Sequence, residues 1–379
     1  MTLTNKTFAD LITFTRASTA TRVNSLGLIE SVATNGPRFD HDPATLAPKG
    51  LLIEEARTNR FLQSEDFTTT WAAAAVGTST RVLSAALFAG INGGLITATS
   101  ANGGLRQVSS GLTSTQVYTA SFFLSSDSDS VMFLLENGAG AYGTSSNVTL
   151  TPATGAIGTL TGFTSARSTA VPGGYLYEIV LPPAGGGLTA NMEWRLASGD
   201  AMKIAIPQFE AGAFATSYIP TVASTVTRAL DAASITGANF SDWFNAAEGT
   251  VYVEASYAVA SNLGDRFTTQ IDDGTASNRI LTVVDIAAVD VGGVRQALID
   301  GGAPVVGLPN KFAFAYKAND FAGSLNGGAV VTDTGGTVPT VNRMTIGSRG
   351  ADSFFNGHIK DIRFYPTRLT NAELQALTA

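Results

Sequence analysis

The chain contains no cysteine. Disulfides, thiolate metal sites and cysteine nucleophiles are thereby excluded. An exposed protein of this kind must be held by its cores and by association with other subunits. Charge is also sparse, at 14% of 379 residues. Lysine and glutamate, the usual fillers of exposed helix surface, are scarce, which argues against a long-helix protein. Histidine occurs only as His41 and His358, so one chain cannot build a multi-histidine metal site. The 23 lysines and arginines form no basic run and the net charge is −7. A phosphate-neutralising patch is therefore missing, and nucleic acid is not an expected partner. The acidity favours solubility and fits a displayed protein. No apolar run is long enough to span a bilayer. Met1–Asp10 lacks a charged-then-apolar export signal, so synthesis in a cytoplasm without a classical export route is expected.

What is abundant is equally informative. Hydrophobic residues make up 44% and glycines number 40, the bias of many short strands joined by tight turns. The length suits two or three domains at roughly 100–200 residues each. Residues 1–60 hold many of the charges, show little periodicity, and read as an extended anchor without a core of its own. In residues 61–230, runs such as Val117–Leu124, Val131–Leu135, Tyr175–Leu181 and Met202–Ile206 read as strands, with glycine-rich turns between them. In residues 231–379, Phe312-Ala313-Phe314-Ala315-Tyr316 alternates as a half-buried strand should. Gly323–Val331 has the form strand, Asn326-Gly327 turn, strand. Thr370 and Glu373 form a capping box that opens a short C-terminal helix. The joint between the two larger units falls near Thr227–Asp231. The expected fold class is all-β: two antiparallel β-sandwich (jelly-roll) domains preceded by an extended N-terminal anchor segment.

Three stretches carry a resemblance. Phe14–Thr21, Pro37–Asp40 and Gly50–Asn59 together resemble an N-terminal segment of phage and prophage structural proteins. Gln208–Thr221 resembles the closing strand of a phage jelly-roll module similar to carbohydrate-binding modules. Phe355–Tyr365, with the helix after it, resembles the end of a concanavalin A-like, laminin-G-type domain. The resemblance implies a virion surface protein, a fibre or spike, with lectin-like modules. Fold alone does not fix ligand in such sandwiches.

The chemistry that such modules could carry is constrained by residue type. Concanavalin A-like glucanases carry a Glu-x-Asp-x-x-Glu strand, and no such string occurs. Glu54-Glu55 and Glu65-Asp66 are adjacent pairs, whose side chains point to opposite faces of a strand and cannot flank one sugar ring. No Gly-x-Ser-x-Gly elbow and no phosphate loop is present. Asp272-Asp273-Gly274 and Asp127-Ser128-Asp129 are weak Ca²⁺ candidates; an aspartate before glycine more simply starts a turn. No other cofactor is expected. Sugar binding needs an aromatic face beside hydrogen-bonding groups. The candidates are Tyr142, Trp194, Trp243 and Tyr257, with Trp71, each competing with a role in the core. Tyr142, in a glycine-rich loop, is the one most expected to be exposed.

The leading reading is a non-enzymatic protein of the phage particle that binds host-surface glycan. Residues 1–60 would attach it to other virion proteins, and avidity would favour a homo-oligomer. A trimer is what fibre proteins of this resemblance suggest. A capsid decoration protein and a polysaccharide depolymerase spike are the alternatives.

Overall fold

A computed structural model describes residues 6–136, 146–183, 189–257, 266–350 and 353–379. The secondary structure is almost wholly strand, as composition requires, and the strand pairings are antiparallel.

The first sandwich stacks a six-stranded sheet on a five-stranded one. The larger runs in the order Ser165–Val171, Gly174–Leu181, Tyr118–Ser125, Ala201–Ala211, Ile91–Ala98, Ser79–Phe88. The smaller runs Ala156–Ile157, Ser146–Thr151, Val131–Glu136, Thr189–Leu196, Gly103–Ser110. Strand alternation sorts the side chains. Tyr118, Ala120, Phe122 and Leu124 face the core between the sheets. Phe123 faces outward into a second cluster with Phe88, Ile206 and Tyr218. The larger sheet is thus buried on both faces over part of its area.

The second sandwich is closed by the N-terminal segment. Six short strands form there: β1 Thr13–Thr15, β2 Ala20–Val23, β3 Ile29–Val32, β4 Phe39–His41, β5 Pro48–Ile53 and β6 Arg57–Asn59. β1 pairs with Ala232–Thr236 at the edge of one seven-stranded sheet. β5 pairs with Gly357–Tyr365, and β4 with β5, completing the other seven-stranded sheet. Phe14, Leu51 and Ile53 lie in the second core beside Val253, Phe314 and Ile359. Residues 1–60, read from the sequence as a segment that must pack on something else, pack on the second sandwich. They lack a core of their own, but supply strands and apolar side chains to a core built mainly from residues 233–359. The first sandwich is inserted between the two parts of the second.

Local expectations can be followed residue by residue. Phe312, Phe314 and Tyr316 enter the second core, while Ala313 and Ala315 face a small cluster holding Leu374. Alanine there leaves room for the helix Asn371–Thr378, whose capping box closes through Thr370 and Glu373. Asn326 and Gly327 take the positive φ (50° and 72°) foreseen for the turn. The return strand begins only at Val331, because the turn is drawn under that helix: Gly327 N donates to Thr378 Oγ1 at 3.1 Å.

Candidate functional site

The two sandwiches meet around a buried charge cluster. Arg16, Arg38, Glu54, Arg228 and Asp231 are each 5% exposed or less. Arg38 Nη1 and Arg228 Nη1 donate to Glu54 Oε2 at 2.8 and 2.7 Å. Arg16 Nη1 donates to Asp231 Oδ1 at 3.1 Å, and Arg38 also reaches Asp231. Ser217 adds its N–H and hydroxyl to Glu54 at 2.8 and 2.7 Å. Burial by itself would raise the Glu54 carboxyl, but Arg228, Arg38 and Ser217 outweigh it and hold it well below the ordinary value. Arg16 further caps the carbonyls of Gly36 and Ala33 at 2.9 and 2.8 Å. These side chains belong to the N-terminal segment, to the turn after the first sandwich and to the joint at 227–231. The cluster fixes how the sandwiches sit on one another.

Beside this cluster runs a cleft with two connected chambers. The first, of about 280 Å³, is lined by Arg22, Arg167, Glu178, Gln208, Phe88 and Tyr218 among others. The second, of about 230 Å³, is lined by Phe214, Ser256, Tyr257, Arg266, Asn356 and His358 among others. Asp40, Lys49, Leu52, Ala215, Thr216 and Ser217 line both and form the waist. Most of the polar groups are already held. Arg167 binds Glu178 through two bonds of 2.9 Å from the neighbouring strand, and Ala215 N donates to the same carboxylate at 2.8 Å. Arg22 Nε donates to Glu30 at 2.8 Å across β2 and β3.

Asp40 and His358 meet at 2.7 Å, Oδ2 to Nε2. They stand on β4 and on Gly357–Tyr365, with β5 between them. Asp40 lies opposite Gly50 and His358 opposite Leu52. Gly50 has no side chain to block the row. It also sits at φ +101°, and a Cβ there would lie 2.4 Å from the Ile359 carbonyl oxygen. Burial holds the His358 imidazole below its ordinary value despite the bond to Asp40. The Asp40 carboxyl is lowered: burial raises it, but the His358 bond and the Val23 N–H prevail. Ser256 is the cross-strand partner of His358, so a serine, histidine and aspartate share one sheet face. No hydrogen bond joins Ser256 to the ring, and Asp40 already occupies the far nitrogen. The contact that would activate a serine nucleophile is missing from the described structure.

The residues singled out from sequence fall in different places. Trp194 is fully buried, packed against Phe61, Trp71, Phe122 and Phe133 at 5.0–5.8 Å. It is a core residue with no face for a ligand, and Trp71 is its neighbour there. Trp243 packs on Phe240, Phe244 and Phe364 and donates to Asn239 O at 2.6 Å; it lies outside the cleft. Tyr257 is buried yet lines the second chamber. Tyr142 lies outside the described residues. The four aspartates serve the protein itself. Asp272 takes Arg343, Gln270 and Gly274 N–H. Asp273 takes Thr275 and Asn278. Asp127 pairs with Lys203 and Ser125, and Asp129 accepts from Ala201 N at 2.8 Å. No group of three or more potential metal ligands occurs among the described residues.

Sequence reasoning missed Arg16, Arg38, Asp40, Lys49, Arg228 and Asp231 as site residues. One signal was available: a weakly charged chain concentrates charges in a segment that must pack on something else. No family model matches the sequence, and no curated protein matches it. Solved structures overlap it only loosely. Domain 4 of an extracellular arabinanase from Geobacillus stearothermophilus, in complex with arabinotriose, is 14% identical, covering 44% of this chain and 82% of its own, with a TM-score of 0.32. A tandem carbohydrate-binding domain of Paenibacillus barcinonensis Xyn10C is 11% identical, covering 83% and 99%, with a TM-score of 0.29. Sheep galectin-11 is 14% identical, covering 35% and 93%, with a TM-score of 0.23. At these scores the superpositions carry no argument about ligand or descent, and the all-β sandwich assignment rests on the sheets themselves.

Proposed function

We propose that the chain is a non-catalytic glycan-binding protein whose ligand lies in the cleft between the sandwiches. One observation carries this reading: the cleft is walled by polar groups already held by partners, Arg167 by Glu178, Asp40 by His358 and Ser217 by Glu54, and a preorganised polar cleft is what a hydroxyl-rich ligand requires. The absence of bond-breaking chemistry is supported by the state of the cleft's acids. Asp40 is tied to His358 and Glu178 to Arg167. Glu54, which lines the second chamber, is tied to Arg38 and Arg228. Ala215→Trp places bulk at the waist without touching the ion cluster. It should abolish binding in a titration against the best glycan from an array. Undiminished binding would put the ligand elsewhere.

Display on a phage particle, implied by the sequence resemblance, belongs to the same proposal. A surface feature supports docking onto sister virion proteins. Leu26, Leu28, Phe39 and Leu46 of the N-terminal segment are 39–72% exposed, and Leu46 packs beside Gly27 in the β2–β3 turn. Exposed leucines so grouped mark an interaction surface. The double variant Leu26→Glu, Leu28→Glu should fold, bind glycan, and be missing from purified particles; normal incorporation would remove this role.

A further inference from the structure

Lys49 stands out in the cleft. It lines both chambers, yet makes no hydrogen bond and no contact ion pair among the described residues. Its position follows from an irregularity in β5. Gly50 pairs with Asp40 and Pro48 with His41, and the register shifts between them. Lys49 is the extra residue of that bulge. In a regular strand it would share a face with Leu51 and Ile53, which enter the second core. The bulge reverses the alternation, and Lys49 instead joins Leu52 in the cleft. A second polar group in the same chamber is also unsatisfied. The Tyr257 hydroxyl is buried and has no hydrogen-bond partner among the described residues, in a side chain 2% exposed. A buried hydroxyl without a partner is costly, and a ligand oxygen in the chamber would relieve it.

The second chamber is lined by two cations, Lys49 and Arg266, and by two acids, Asp40 and Glu54. Behind the lining, Arg16, Arg38 and Arg228 hold Glu54 and Asp231, with Glu55 and Glu210 close by. His358 adds no charge at neutral pH, since burial lowers it. Asp40, Glu54 and Asp231 are each already bonded to a cation or to His358, so none of them competes for Lys49 at contact.

From this we infer that the second chamber receives the anionic group of an acidic sugar, an oxyanion taking Lys49 Nζ and the Tyr257 hydroxyl as its donors. The inference rests on the glycan-binding reading and narrows it from glycans in general to acidic ones, with carboxylate (uronate) and sulfate as two sources of the same chemistry.

The test uses the full chain and matched ligands. Oligogalacturonate is compared with its methyl ester, in which the carboxylate charge is removed, and a sulfated galactan with its desulfated form. An acidic ligand should bind about tenfold or more tighter than its neutral counterpart at low salt, the scale of one charge-assisted bond. That margin should shrink as salt rises. Whichever acid shows the larger margin names the source. Lys49→Gln and Tyr257→Phe should each collapse the margin toward unity, and Lys49→Arg should restore it, with thermal melts confirming that each variant is folded. Equal binding of acidic and neutral forms, or a margin untouched by Lys49→Gln, overturns this inference and leaves glycan binding standing. If neutral and acidic glycans alike fail to bind, the glycan reading falls and takes the inference with it.

Discussion

Glu54 is the residue on which most of the junction converges. It accepts from two arginines and from Ser217, so removing its charge leaves Arg38 and Arg228 buried and under-compensated. Glu54→Gln should cost about 3–5 kcal/mol in urea denaturation near neutral pH, the range for breaking a buried ion pair. The pH dependence has a definite sign. The folded carboxyl lies below its ordinary value of 4.5. Its contribution is therefore complete above that value and is lost as pH falls below it. Asp40, lowered from 3.8, acts in the same direction further down. His358 is lowered from 6.5, so the unfolded chain takes up that proton first, and stability begins to decline as pH drops below about 6.5. Denaturation midpoints measured from pH 7 to pH 3 should fall throughout and steepen below pH 4.5, and Glu54→Gln should flatten the steep part. A stability that is level across that span would contradict this assignment of charges.

At the scale of elements, the N-terminal strands decide whether the second sandwich can exist. β5 carries Leu51 and Ile53 into the core and, through its bulge, Lys49 into the cleft. β1 contributes Phe14. A fragment of residues 231–379 therefore lacks edge strands from both sheets. Expressed alone it should be insoluble or molten by near-ultraviolet circular dichroism, and should recover on adding residues 1–60. Independent folding of the fragment would show these strands to be dispensable. The elements themselves were largely legible beforehand. Phe312–Tyr316 and the capping box at Thr370 announce their structure through local periodicity and local hydrogen bonding, which need no knowledge of the rest of the fold. β1 to β6 are three to six residues long and show almost no alternation, because each borrows its burial from a partner far along the chain. They could be recognised as dependent on something else, but not on what.

For the whole molecule, the consequence is that two sandwiches behave as one body. The first interrupts the second in sequence, and Arg228 and Asp231, at the joint between them, lie in the shared ion cluster. A joint that looks like a linker is thus a lock. The cleft owes its existence to that lock, since its two chambers draw walls from the six-stranded sheet, from β4 and β5, and from the strand bearing His358. Rigid placement of polar walls lowers the ordering cost of a flexible saccharide, which is how the ion cluster would serve binding without touching the ligand.

Composition and period by themselves determined the architecture. Scarce charge, abundant glycine and a two-residue alternation leave stacked antiparallel sheets as the way to bury this chain. They also determined that cysteine and multi-histidine chemistry is absent. The tertiary structure alone decided which aromatics are core and which line a cavity, since Trp194 and Tyr257 look alike in sequence. It alone decided that Arg16, Glu54 and Asp231, separated by up to 215 positions, form one cluster. The physical reason is range: backbone pattern and capping are set by neighbours a few residues apart, whereas a buried charge is defined by its partner, and here the partners meet only once both sandwiches have closed.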